Sequence, residues 1–144
     1  MLRFDERLAL QSETTALVDG FLAELNLPAR FSLRDLCEAV SRRVGTALHT
    51  YRTQMPSEIG GLGLAAQERT IILVNRYRGH LAEDFTILHE LAHLVLGHLG
   101  PGHTATRRDE IQADIFAAMI LKRMLRPKKG SSATARRLMR FFAY

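Results

Sequence analysis

The chain has 144 residues, 47% of them hydrophobic, with one cysteine and a formal net charge of +5. That length supports one core and one domain over residues 1–144, and the lone Cys37 excludes an internal disulfide and the cysteine-rich zinc patterns, so a metal site has to draw on His, Glu and Asp. Asp5 and Glu6 interrupt the stretch where a signal peptide needs an apolar run, and no later segment reaches the length of a membrane span. A soluble, cytoplasmic protein is therefore expected.

From Asp5 to about Leu25 the residues Leu8, Leu10, Leu17, Val18, Phe21, Leu22 and Leu25 recur at helical spacing, and Pro28 closes the segment. Ser32 reads as the N-cap of a second helix carrying Leu33, Leu36, Val40 and Val44, with Gly45 placed to end it. Cys37 lies in this helix, read as a small buried side chain and not as a nucleophile. Thr46 to Thr53 alternates and is rich in Thr, Tyr and Leu, which predicts a strand. Gly60-Gly61-Leu62-Gly63 lacks the Gly-Lys-Ser/Thr of a phosphate loop and reads as a glycine-rich turn or edge strand. Arg69 to Asn75 is the strongest strand, with Ile71, Ile72, Leu73 and Val74 in succession. It is a candidate to hold an extended peptide at the rim of a cleft. Asn75 to Gly79 turns the chain into a helix that includes Phe85 to His98. After Gly100-Pro101-Gly102, Arg107 to Leu125 forms the next long helix, with Ile111, Ile115, Ala118 and Met119 inward, stopped before Pro127. Lys128 to Ser132 reads as a polar linker and Ala133 to Phe142 as a short basic helix. The expected architecture is α+β: two leading helices, a small antiparallel or mixed sheet, then two packed helices and a short terminal one.

The stretch Phe85 to His98 contains His89-Glu90-Leu91-Ala92-His93. A helix advances about 100° per residue, so two histidines four apart project from one face about a turn apart and form a two-toothed clamp for a metal. Phe85, Leu88, Ala92, Val95 and Leu99 make an apolar stripe beside them. Catalytic zinc takes three protein ligands and keeps an open position, so a third ligand is required. Glu110 and Asp114, four apart on the next helix, can face the histidines across a helical hairpin. Glu110 would then bind the metal and Asp114 would accept the other ring N–H of a histidine. Asp109 and His103 are the alternatives. His98 would point about 140° from His93 on a continuous helix and reads as a helix-end cap.

With TIILVN, FTILHELAHLVLGH and EIQADIFAAMIL in place, the chain resembles the ImmA/IrrE family of metallopeptidases. The resemblance implies a Zn²⁺ site of His89, His93 and Glu110 with Glu90 as catalytic base. It also implies a helix-turn-helix repressor as the protein substrate that is cleaved or inactivated. Tyr77, His80, His103 and Arg108 are candidates for stabilising the oxyanion. One rival is a regulatory protein that keeps the zinc site but only grips its repressor. A second is a nucleic-acid-binding module. From Met119 to Tyr144 the chain carries eight Lys or Arg and no acidic residue, which suits an acidic partner. No base-reading motif accompanies that charge, so direct nucleic-acid binding is not expected.

Overall fold

A computed structural model describes residues 1–66, 68–76, 79–98 and 105–125. In chain order these form α1 (Phe4–Glu24), α2 (Leu33–Val44), β1 (Ala47–Thr53), β2 (Gly61–Ala65), β3 (Arg69–Asn75), α3 (His80–Val95) and α4 (Arg107–Met124). This is the α+β arrangement of helices around a small sheet. The expected linker and basic helix after Pro127 lie outside the described residues.

Local chemistry sets the helix ends. Ser32 Oγ accepts from Asp35 N–H at 3.1 Å while Asp35 accepts from Ser32 N–H at 2.9 Å, a reciprocal cap that satisfies two orphan donors. Those bonds hold the Asp35 carboxyl below its ordinary range. Gly45 closes α2 at φ 77°, a left-handed conformation that favours glycine. Thr106 and Asp109 repeat the reciprocal cap at the start of α4, at 3.1 and 2.9 Å.

The sheet is mixed, in the order β1-β3-β2. β1 runs parallel to β3 from Ala47 opposite Arg69 to Thr53 opposite Asn75. β2 is antiparallel to β3 on its other side, with Gly63 opposite Ile72. The uninterrupted apolar run of β3 follows from this central place. Ile72 and Val74 are buried under the helices, while Ile71 and Leu73 lie half-buried on the opposite face. Because β3 is paired on both sides, it cannot receive a peptide by main-chain pairing. Among the described residues β1 and β2 are each paired on one side only, and the edge beside the cleft belongs to β2 and not to the strand expected from sequence.

α3 packs on β2 and β3 and against α4, α4 packs in turn on α1, and α2 covers β1. α4 is more deeply enclosed than its sequence suggests, with Gln112, Ala113, Ile115, Phe116, Ala117, Ala118, Ile120 and Leu121 all buried. Met119 and Ile111, expected inward, are only half-buried. On α1 the buried positions are Leu10, Thr14, Val18 and Phe21. Leu8 and Leu17 fall on the exposed face, because the buried stripe keeps helical spacing through Thr14, whose hydroxyl donates to Leu10 O at 2.6 Å. Phe21 meets Phe116 with ring centroids 5.8 Å apart. Each fully buried side chain such as Leu88, Leu91, Phe116 or Ile120 stabilises by about 1.5–3 kcal/mol. An exposed ion pair such as Arg43–Glu24 contributes about 0–1 kcal/mol. Apolar packing therefore sets how α3 and α4 face each other, and that facing builds the site. No helix among the described residues is long and apolar enough to cross a membrane.

Candidate metal centre

α3 begins directly after Gly79 and turns Leu88, Leu91 and Ala92 inward. That rotation carries His89, Glu90 and His93 to the seam with α4. The imidazole rings of His89 and His93 meet edge to face at 4.7 Å, as a four-residue spacing on one helix requires. From α4, Glu110 reaches both: its Oε2 lies 3.0 Å from His89 Nε2 and its Oε1 3.2 Å from His93 Nε2. The two Nε2 atoms are 3.1 Å apart. Among the described residues, His89, His93 and Glu110 are the group of three metal-ligating side chains whose donor atoms converge.

Asp114 stands one turn beyond Glu110, with Oδ1 2.8 Å from His89 Nδ1. A carboxylate accepts, so Nδ1 carries a ring proton toward Asp114, and Nε2, on the side of Glu110, is the nitrogen left to bind a metal. Burial works against protonation of His89, but the Asp114 hydrogen bond and the charges of Asp114, Glu90 and Glu110 outweigh it and raise its pKa. For His93, burial and the neighbouring His89 push the pKa down, with Glu110 opposing. Two imidazole nitrogens and a carboxylate facing one another within about 3 Å form a set of electron-pair donors that a cation satisfies. Two histidines and a glutamate are a donor set of catalytic zinc. The residues present fit a divalent metal.

Glu90 faces a cleft of about 430 Å³ lined by Glu58, Ile59, Gly60, Gly61, Thr86 and His89, among others. It accepts from the main-chain N–H of Gly63, and burial raises its pKa, with Glu110 adding to the rise and His89 and Gly63 opposing it. A carboxylate so poised takes and returns a proton more readily than an exposed one. β2 approaches α3 so closely that a Cβ on Gly61 would lie 2.4 Å from Thr86 Cγ2 and 2.9 Å from Leu73 O. Gly61 therefore serves the close approach of the strand to the helix. Asn75 holds the other wall: its side-chain nitrogen lies 3.0, 3.1 and 2.8 Å from the carbonyls of Met55, Pro56 and Ile59, and Asn75 N–H donates to Gly60 O at 2.9 Å.

The histidine after the motif is placed differently from its sequence expectation. α3 stops at Val95, Gly97 takes φ 77°, and His98 N–H returns to His93 O at 2.7 Å while Gly97 N–H bonds Leu94 O. These are the paired bonds of a Schellman turn, which ends the helix and folds the next residue back. His98 is consequently buried against the site, its Nδ1 3.0 Å from His93 Nδ1. Its Nε2 lies 3.2 Å from Asp109 Oδ1. Asp109, weighed as a ligand, instead caps α4 and meets His98. Gly97 and the Thr106-x-x-Asp109 pattern were the signals in the sequence.

Of the oxyanion candidates, Arg108 pairs with Glu13 of α1 at 2.8 Å. His80 is highly exposed, with Nδ1 2.8 Å from Arg52, and Arg52 also pairs with the buried Glu83. Neither residue lines the cleft. Tyr77 and His103 lie outside the described residues. A larger cleft of about 840 Å³ between α1, the start of α2 and the end of α4 is lined by Asp19, Phe31 and Arg123 among others, with no histidine among the described residues that line it.

A family model described as Peptidase_M78, IrrE N-terminal-like domain, matches residues 45–139, more than half of the chain. The chain belongs to this peptidase family. The match spans all three strands and both helices of the site, so the M78 assignment and the geometry concern the same segment. No curated protein and no solved structure matches the chain.

Proposed function

We propose that this M78 protein is a zinc-dependent endopeptidase acting on a helix-turn-helix transcriptional repressor. The observation that carries the reading is the meeting of His89 Nε2, His93 Nε2 and the Glu110 carboxylate beside Glu90, on a cleft bounded by the open edge of β2. When bound, a divalent ion supplies Lewis acidity that brings the pKa of a water from about 15.7 to about 7 and polarises a carbonyl. His89, His93 and Glu110 would hold it. Glu90 accepts the proton of the attacking water and returns it to the departing amine nitrogen. Asp114 keeps His89 in the tautomer whose Nε2 lone pair is available. An extended substrate segment adds to β2, where main-chain pairing holds the chain irrespective of side-chain identity.

The test incubates the purified protein with the repressor encoded beside it, with zinc, with chelator and as Glu90→Gln. Cleavage that needs zinc and disappears in Glu90→Gln, with metal content unchanged, supports the endopeptidase. Stable zinc-dependent association without fragments supports the gripping protein instead. Full turnover by Glu90→Gln would remove Glu90 as the base.

A further inference from the structure

The contact between His93 and His98 has a defined sense of hydrogen bonding. Asp109 spends Oδ2 on the Thr106 N–H, and its Oδ1 faces His98 Nε2 at 3.2 Å. A carboxylate oxygen only accepts, so the His98 proton lies on Nε2 and, in the neutral ring, Nδ1 carries a lone pair. That lone pair faces His93 Nδ1 at 3.0 Å, a separation that requires a hydrogen between the two nitrogens. It is supplied by His93 Nδ1, which leaves Nε2, on the side of Glu110, as the nitrogen that would bind a metal.

We infer that His98 is a positioning residue, relaying the Asp109 carboxylate to His93 so that His93 presents its Nε2 lone pair to the metal. The inference rests on the metal site proposed above and extends it. His89 is oriented by Asp114 directly and His93 by Asp109 through an intervening imidazole. Both orienting carboxylates flank Glu110 on α4. The arrangement explains why a histidine is buried at this point of the chain: the Schellman turn at Gly97 is what brings it back to His93. It also gives Asp109 two tasks, capping the start of α4 with one oxygen and setting a tautomer with the other.

The experiment uses the full-length protein labelled with ¹⁵N. Imidazole correlation spectra of the zinc-loaded form should show His98 protonated at Nε2 only, with a coupling across the His93 Nδ1 to His98 Nδ1 hydrogen bond. A doubly protonated His98, or one protonated at Nδ1, overturns the inference. Zinc affinity is then measured by chelator competition. His98→Leu should weaken binding about 10–100-fold. His98→Asn, whose amide oxygen can accept near the Nδ1 position, should restore most of it. Asp109→Ala should weaken zinc in the same way, whereas Thr106→Ala, which removes only the helix cap, should not. Equal affinity in the wild type and in folded His98→Leu, or equal losses in Thr106→Ala and Asp109→Ala, would refute the relay. If His98→Leu does not fold, the spectra and the comparison of Asp109→Ala with Thr106→Ala still decide. Failure of the wild type to bind zinc at one equivalent would instead refute the metal site itself.

Discussion

Asp114 is about half exposed, so its replacement leaves no large void, yet it determines which nitrogen of His89 carries the proton. Asp114→Asn should therefore leave thermal unfolding nearly unchanged while weakening zinc by about 10–100-fold. Chelator competition checks this, and unaltered affinity would show that the ring keeps its orientation without the carboxylate. Cys37 offers a pH-dependent test. Burial, with Asp84 and Glu38 nearby, raises its thiol from 9.0 to about 11. The folded state thus favours the protonated thiol. Its contribution to stability is complete below pH 9 and is lost as pH rises through about 11. At pH 8.5 alkylation by iodoacetamide should be much slower in the native protein than in urea, and equal rates would contradict the burial. At this scale the sequence was legible wherever one helix carried the spacing. His89, Glu90 and His93 share a turn and Glu110 and Asp114 another, so their faces follow from 100° per residue. His98 was not, because the same arithmetic assumes an unbroken helix and Gly97 breaks it.

Among the elements, β2 is held in place by the absence of a side chain. Gly61→Ala sets a methyl group against Thr86 and the main-chain oxygen of Leu73. The oxygen belongs to the central strand and cannot yield. Overpacking of this kind costs about 1–3 kcal/mol, and the displaced strand should also take the Gly63 N–H away from Glu90. The expected result is a lowered melting temperature together with reduced peptidase turnover, and Thr86→Ser in the same chain should recover only part of the stability. Asn75→Asp replaces a donor facing three carbonyls by an acceptor, leaving a buried group unsatisfied at a cost of about 1–3 kcal/mol. Denaturant unfolding of that variant is the check, and a midpoint unchanged from wild type would remove Asn75 as the tie of the Met55–Ile59 segment. The positions of strands and helices followed from apolar periodicity and caps, as with Ser32 and Gly45. Strand order did not. β3 was recognisable as the strongest strand, but its central place depends on β1 and β2 pairing to either side, information that resides in no single segment.

For the molecule as a whole, the proposed ligands come from two helices that share one core, so metal binding at this site would be linked to folding. Zinc bound to the folded chain and not to the unfolded one stabilises it by about 2.7 kcal/mol when free zinc is 100 times the dissociation constant. Removing the ion with chelator should lower the melting temperature, and re-addition should restore it. A transition indifferent to zinc would mean that the three side chains do not act as one site. The sheet presents a further issue. β2 carries Leu62 and Leu64, each about half exposed, on a strand that pairs with another strand on one side only among the described residues. A strand left open in this way can be joined by the corresponding strand of another copy as readily as by a peptide. With a net charge of +5, mutual repulsion between copies opposes that pairing at low ionic strength, and added salt screens it. Concentrated, salt-rich solutions should then favour edge-to-edge dimers that block their own cleft, a form of self-inhibition arising from the same geometry proposed to admit a peptide.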